Sequence, residues 1–180
     1  DIQMNLIQSF VYDLPEGKKN ILRSLFTYYL NASFRVLRTY RVAKYFYLSK
    51  LPFSGIISSR LRVKLINKLN CDLHLKSSIS NGIKLAHPLG IVVGAGVIIK
   101  KNVTIYQNVT LGSTGKKEMG YPIIGEGCII YAGAIILGDV QIGENSVIGA
   151  NCIINKDIPP NSIAYGNPLI IKRKDEEIFK

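Results

Sequence analysis

The sequence predicts a mainly β protein: a left-handed parallel β-helix of about five coils, preceded by a basic α-helical N-terminal subdomain. Aliphatic residues return at every sixth position from Leu73 through Ile79, Leu85, Ile91, Val97 and Val103 to Val109, and again from Ile124 through Ile130, Ile136, Ile142 and Ile148 to Ile154. Four places after most of these stands a small or aliphatic residue, among them Ser77, Ala95, Ser113, Cys128, Ala134, Val140, Ser146 and Cys152. Neither the helical nor the strand period fits this pattern. A fixed six-residue repeat makes each hexad a short strand plus a tight corner, and three hexads, about 18 residues, close a triangular coil. Coils stacked about 4.8 Å apart give a prism roughly 24 Å long. Gly and Asn suit its corners because they tolerate positive φ.

The chain has 180 residues, 47% of them hydrophobic, and a net charge of +11. That length allows one extended core plus a helical subdomain. Residues 1–70 carry 12 Lys or Arg against 3 Asp or Glu, so the positive excess sits in front. No apolar run approaches the ~18 residues of a membrane span and no signal-peptide core is visible, which predicts a cytoplasmic protein. Three cysteines, Cys71, Cys128 and Cys152, fit a reducing compartment, the last two at inward positions of the coil. With no CxxC and only two histidines, no metal site is expected.

Three regions follow in order. Residues 1–70 form the basic helical subdomain: a helix from Gly17 to Ser49 broken near Asn31 and Ser33, a turn at Leu51-Pro52-Phe53-Ser54-Gly55, and a second helix from about Ile56 to Leu69. This subdomain either caps the open end of the β-helix or presents Arg35, Arg38, Arg41, Lys44 and Lys50, interleaved with Tyr40, Tyr45, Phe46 and Tyr47, to an anionic membrane surface. No nucleic-acid motif accompanies the charge, and no nucleic-acid partner is expected. Residues 71–168 form the β-helix, and 169–180 a C-terminal tail. Between Val109 and Ile124 the gap is 15 where two hexads give 12, so three residues are expected to leave the coil within 112–122. Loops that interrupt a regular solenoid often carry function.

His87 lies off the inward position of its hexad and projects outward, and Asp72 precedes it by 15 residues, a little under one coil. An outward imidazole with a carboxylate near it is a candidate general base. His74 has no comparable acidic partner in sequence.

From Cys71 to Pro168 the chain resembles the hexapeptide-repeat acyltransferases, in their serine acetyltransferase branch, which includes sugar and capsular polysaccharide O-acetyltransferases. The matching pieces are Asp72-Leu73-His74, Gly82-Ile83-Lys84-Leu85-Ala86-His87, Gly90-Ile91-Val92-Val93-Gly94, Val109 through Lys116, and Gly166-Asn167-Pro168. The resemblance implies an acetyl-CoA-dependent O-acetyltransferase working as a homotrimer, with sites between neighbouring prisms. His87 matches the family's general base and Asp72 the acid that orients it. Gly112, Thr114, Gly115 and the backbone of Ala132 match the pantetheine arm. Lys116, Lys117, Lys172 and Arg173 are candidates for the cofactor's phosphates by charge alone.

Two departures bear on the acceptor. Where serine acetyltransferases have Asp before the catalytic His, this chain has Ala86. In place of Arg-His before the proline that ends the loop stand Gly120-Tyr121. The charged clamp for free serine is missing, and the expected acceptor is a hydroxyl of a sugar or surface polysaccharide precursor, with Tyr121 stacking on its ring. Serine O-acetylation for cysteine biosynthesis is the alternative, and a non-catalytic hexapeptide scaffold a second one.

Overall fold

The computed structural model describes residues 30–115 and 120–174. Helix α1 (Ala32–Leu48) opens at Asn31, whose side chain accepts a hydrogen bond from the Phe34 N–H at 3.1 Å. That N-cap is the break expected near Asn31; residues 17–29, also read as helix, lie outside the described residues. Helix α2 (Ser54–Leu69) starts two residues earlier than expected and ends at Asn70, which takes a left-handed conformation and donates its N–H to the Leu65 carbonyl.

The first coil is β1 (Cys71–Leu73), β2 (Ser78–Ile79) and β3 (Lys84–Leu85); the second β4 (Ile91–Val93), β5 (Ile98–Ile99) and β6 (Thr104–Ile105). The third is β7 (Thr110–Gly112), β8 (Ile123–Ile124) and β9 (Ile129–Ile130), and the fourth β10 (Ile135–Leu137), β11 (Gln141–Ile142) and β12 (Val147–Ile148). A partial fifth holds β13 (Ile153–Ile154) and β14 (Ser162–Tyr165), with Ile158 bridging to Ile142. All of these pair in parallel on three faces, the fold expected of a left-handed β-helix. Residues 170–173, expected in the tail, form β15 (Ile170–Arg173), which folds back antiparallel on β14.

The register corrects two expectations. Val92 pairs with Thr110, 18 residues on, but Cys71 pairs with Ile91, 20 on, and Thr110 with Ile135, 25 on. Two extra residues therefore leave the coil before β4, and seven, not three, leave it between β7 and β8. The cause is that each hexad has two inward positions, both open to aliphatic residues. Leu73 stacks on Val93, Leu111, Ile136 and Ile154, while Ile91 stacks on Cys71. The six-residue count runs on from one inward position to the other without a visible break.

The corners explain the Asn-rich spacing. Asn102, Asn108, Asn145 and Asn151 all have positive φ, and each lies against a glycine of the neighbouring coil. At Gly133, itself at φ 71°, an added Cβ would fall 2.1 Å from Asn151 Oδ1, so that corner admits no side chain. The Asn-X-Thr triplets at Asn102 and Asn108 are corners of this kind.

Helix α1 caps the open end. Ser78 and Ser80 of the first coil donate onward to Val97 and Ile99, while the carbonyls of Ser77, Ile79 and Ser80 and the N–H of Leu85, which bonds Ser33 Oγ, face the helix. Tyr40, fully buried, donates its hydroxyl to the Ser77 carbonyl at 2.9 Å. Arg41 reaches the carbonyls of Ile79 and Ser80, and Lys44 that of Ser77. Burial, with Arg41 beside it, lowers the Lys44 pKa. These three residues, grouped by sequence with an outward basic face, thus turn inward, because unpaired backbone carbonyls must find donors. Tyr40→Phe keeps the ring and loses the hydroxyl bond; it should destabilise the protein by about 1 kcal/mol, read as a lower urea midpoint at unchanged slope.

Candidate active site

The two-residue excess before β4 is the segment that carries His87. There His87 adopts φ 59°, its carbonyl accepts from the Leu89 N–H at 2.8 Å, and the Gly90 N–H returns to the Asn70 carbonyl at 2.7 Å. A non-glycine residue held at positive φ is uncommon, and here it lifts the imidazole off a corner that would otherwise be a plain hexad turn. The His87 ring lies 6.4 Å, centroid to centroid, from Tyr106, which stacks on Tyr131 at 4.9 Å. Ala86 donates its N–H to the Ile105 carbonyl of the next coil at 2.9 Å.

Asp72 stands on β1 next to Cys71, whose thiol donates to the Pro88 carbonyl at 3.4 Å, so it borders the His87 corner. Its carboxylate is 3.3 Å from Arg62 Nη2 of α2. No hydrogen bond joins Asp72 to His87 among the described residues. His74 lies near the same pair: burial first, and then Arg62 and Lys76 against the opposing pull of Asp72, hold its pKa below the ordinary value.

The cofactor candidates are divided: the Gly112 loop lies away from His87, whereas Ala132 follows Tyr131, whose ring stacks on Tyr106 beside His87. Gly112 ends β7, and Gly115 has open space where a Cβ would stand. Thr114 packs its methyl toward Gly138. The Ala132 carbonyl is already taken by the Asn151 N–H at 2.9 Å. Lys172 and Arg173 are exposed on β15; Lys116 lies outside the described residues. Tyr121 does not reach outward as a stacking platform: an added Cβ would meet its ring at 2.2 Å from Gly96 and 3.0 Å from Gly94, so the ring lies flat on two glycines of the second coil.

His87 and the Gly112 loop flank the same five-stranded face from opposite edges. Leu89 meets Asn108 and Gly94 meets Gly112 across the coils, so about four extended residues, roughly 13 Å, separate the two edges. Among the described residues no group of three or more His, Cys, Asp or Glu gathers as metal ligands would. No helix among them is long and apolar enough to cross a membrane. The three cysteines are buried thiols whose pKa burial raises, as core positions require.

Residues 121–156 match the bacterial transferase hexapeptide (six repeats) family. The serine acetyltransferase of Buchnera aphidicola from Schizaphis graminum is 38% identical over 144 residues, 78% of this chain and 54% of that protein. Soybean serine acetyltransferase complexed with serine superposes with a TM-score of 0.81 at 33% identity, over 93% of this chain and 69% of that one. The chain belongs to the hexapeptide-repeat acyltransferases, in the serine acetyltransferase-like branch. A serine acetyltransferase in complex with CoA matches with a TM-score of 0.78 at 28% identity, over 94% of this chain and 72% of that one. The chain spans about half the length of the curated relatives it matches, 54% and 49% in the two Buchnera enzymes.

These relatives overturn the glycan acceptor expected from Ala86 and Gly120-Tyr121, and with it a place in polysaccharide biosynthesis. Several elements border the His87 corner, so two substituted positions do not decide which groups an acceptor meets. Tyr106, beside His87, and Arg62, on Asp72, carry no sequence signal that sets them apart from the other aromatic and basic residues of the chain. Gly96→Ala drives a methyl into the Tyr121 ring and should cost about 1–3 kcal/mol. In a Tyr121→Ala background most of that cost should vanish, which a double-mutant cycle of thermal unfolding measures.

Proposed function

We propose that this protein is a serine O-acetyltransferase that uses acetyl-CoA. The observation that carries the reading is the match over 93% of the chain to the serine-complexed soybean enzyme. His87 takes the proton of the serine hydroxyl as its oxygen attacks the thioester carbonyl. The tetrahedral adduct then collapses, and the imidazolium returns the proton to the departing thiolate, leaving O-acetylserine and CoA. Asp72, which makes no hydrogen bond to His87 in the free chain, closes on the imidazole in the substrate complex, fixes its tautomer and stabilises its cation. Gly112, Thr114, Gly115 and the N–H of Ala132 line the pantetheine arm, and Lys172 and Arg173, on the exposed β15, serve its phosphates.

The working unit is a homotrimer. Base and loop lie at opposite edges of one face, and reacting atoms must approach to about 3–3.5 Å. Three prisms around an axis bring one protomer's His87 edge against its neighbour's loop edge.

The outer side of α2 supports peripheral contact with anionic lipid. Phe53 at 75%, Ile56 and Val63 at 55% each, and Ile66 are exposed beside Arg60, Lys64 and Lys68, and residues 32–69 contain no Asp or Glu. Salt-sensitive co-sedimentation with phosphatidylglycerol vesicles, lost in Ile56→Glu, is the expected result. Equal binding to neutral vesicles would remove the reading.

Serine-dependent thiol release from acetyl-CoA tests the main proposal. His87→Ala should lower kcat by about 10²–10⁴ while acetyl-CoA still binds. Full activity in that variant would sink the assigned base. A wild type that neither binds acetyl-CoA nor releases thiol would be a scaffold.

A further inference from the structure

We propose that Arg62, a residue of helix α2 outside the β-helix, recognises the carboxylate of the amino-acid acceptor. The assignment rests on serine being that acceptor. Free serine is a zwitterion, and a site that selects it must offer its carboxylate a cation or several donors. Among the described residues the end of the loop supplies neither: residues 112–115 and 120–122 hold no charged side chain, and Tyr121 is laid on Gly94 and Gly96. A cation from another element that borders His87 can take that part.

On helix α1, Arg41 and Lys44 are committed to the carbonyls of the first coil. Arg62 is different. Its guanidinium touches Asp72 through Nη2 at 3.3 Å, and that is the one bond the described residues give it. Its Nε is shielded from water and has no hydrogen-bond partner. The two side chains remain 36% and 38% exposed, so the pair is open to solvent. Arginine presents N–H donors in a planar fork that matches a carboxylate in a bidentate way. With one corner of the fork on Asp72, an edge remains for a second carboxylate, and a small turn of the guanidinium brings Nε an acceptor it now lacks.

The placement suits the reaction. Asp72 is adjacent to Cys71, which contacts Pro88, the residue after His87. A serine whose hydroxyl meets the imidazole can therefore direct its carboxylate back toward the Asp72–Arg62 pair at the foot of α2. Arg62 is a specificity residue in this scheme, and its loss should fall on acceptor binding and not on proton transfer.

The experiment is steady-state kinetics on the full chain, wild type and Arg62→Met, with L-serine and with serinamide, which keeps the hydroxyl and the ammonium but has no carboxylate. The expected result is a rise in KM for serine of about tenfold or more with kcat within about twofold, and no change in kcat/KM for serinamide or in KM for acetyl-CoA. Arg62→Lys should restore part of the serine KM, because a point charge replaces a fork. Lys84→Met, on the exposed side of β3, is the control and should change none of these values. An unchanged serine KM in Arg62→Met would overturn the assignment. So would equal losses on serine and serinamide, which would make Arg62 a support for Asp72 alone. If wild-type protein transfers acetyl to neither compound, the serine reading itself fails before any variant is compared, and this inference with it.

Discussion

Every other feature of the molecule depends on aliphatic side chains standing on their like from coil to coil. Leu73, Val93, Leu111, Ile136 and Ile154 form one such column, all at most 1% exposed, and each face of the prism has its own. Burial of these side chains is worth about 1.5–3 kcal/mol each, and it is repeated at every hexad. The column fixes the distance between coils and the direction of every outward side chain. It also leaves the backbone of the first coil with unpaired carbonyls, and that deficit determines how α1 docks. Tyr40, Arg41 and Lys44 are donors supplied to the carbonyls of that edge, and Ser33 Oγ accepts from its Leu85 N–H.

Such a scaffold has little room for chemistry along its walls, where corners are closed by Gly on Asn and strands are two or three residues long. Function has to enter where the repeat is interrupted. The described chain has two interruptions of this kind within the coils, the two-residue excess that carries His87 and the seven-residue excess after Gly112. They flank one face from opposite edges. A single prism therefore keeps the two interruptions about one strand length apart, and the proposed homotrimer is what would bring one prism's His87 edge to another's loop edge.

How much of this could be read from the sequence follows from the same geometry. The hexad period, the cap at Asn31, the outward His87 and the existence of the loop were legible because each is a local pattern. The register was not. Two inward positions per hexad accept the same residues, so a two-residue insertion slides Ile91 into a column position that still looks correct, and it hides four of the seven loop residues as well. The inward turn of Arg41 and Lys44 was equally hidden, because a basic side chain over an acceptor-rich edge looks the same in sequence as one facing lipid.

The acceptor was the least legible, and the reason is general to sites assembled from separate elements. Ala86 and Gly120-Tyr121 show that particular groups are missing at particular positions. They do not show that the charges are missing from the site, because a side chain is defined for its ligand by where its tip lies and not by which strand it leaves. Asp72 comes from the first strand, His87 from a corner 15 residues later, and Arg62 from the helix that precedes both. A guanidinium delivered from α2 meets an acceptor's carboxylate with the same chemistry as one delivered from the loop. Position-by-position comparison can therefore detect a change in how a ligand is held, but it does not tell that change from a change of ligand.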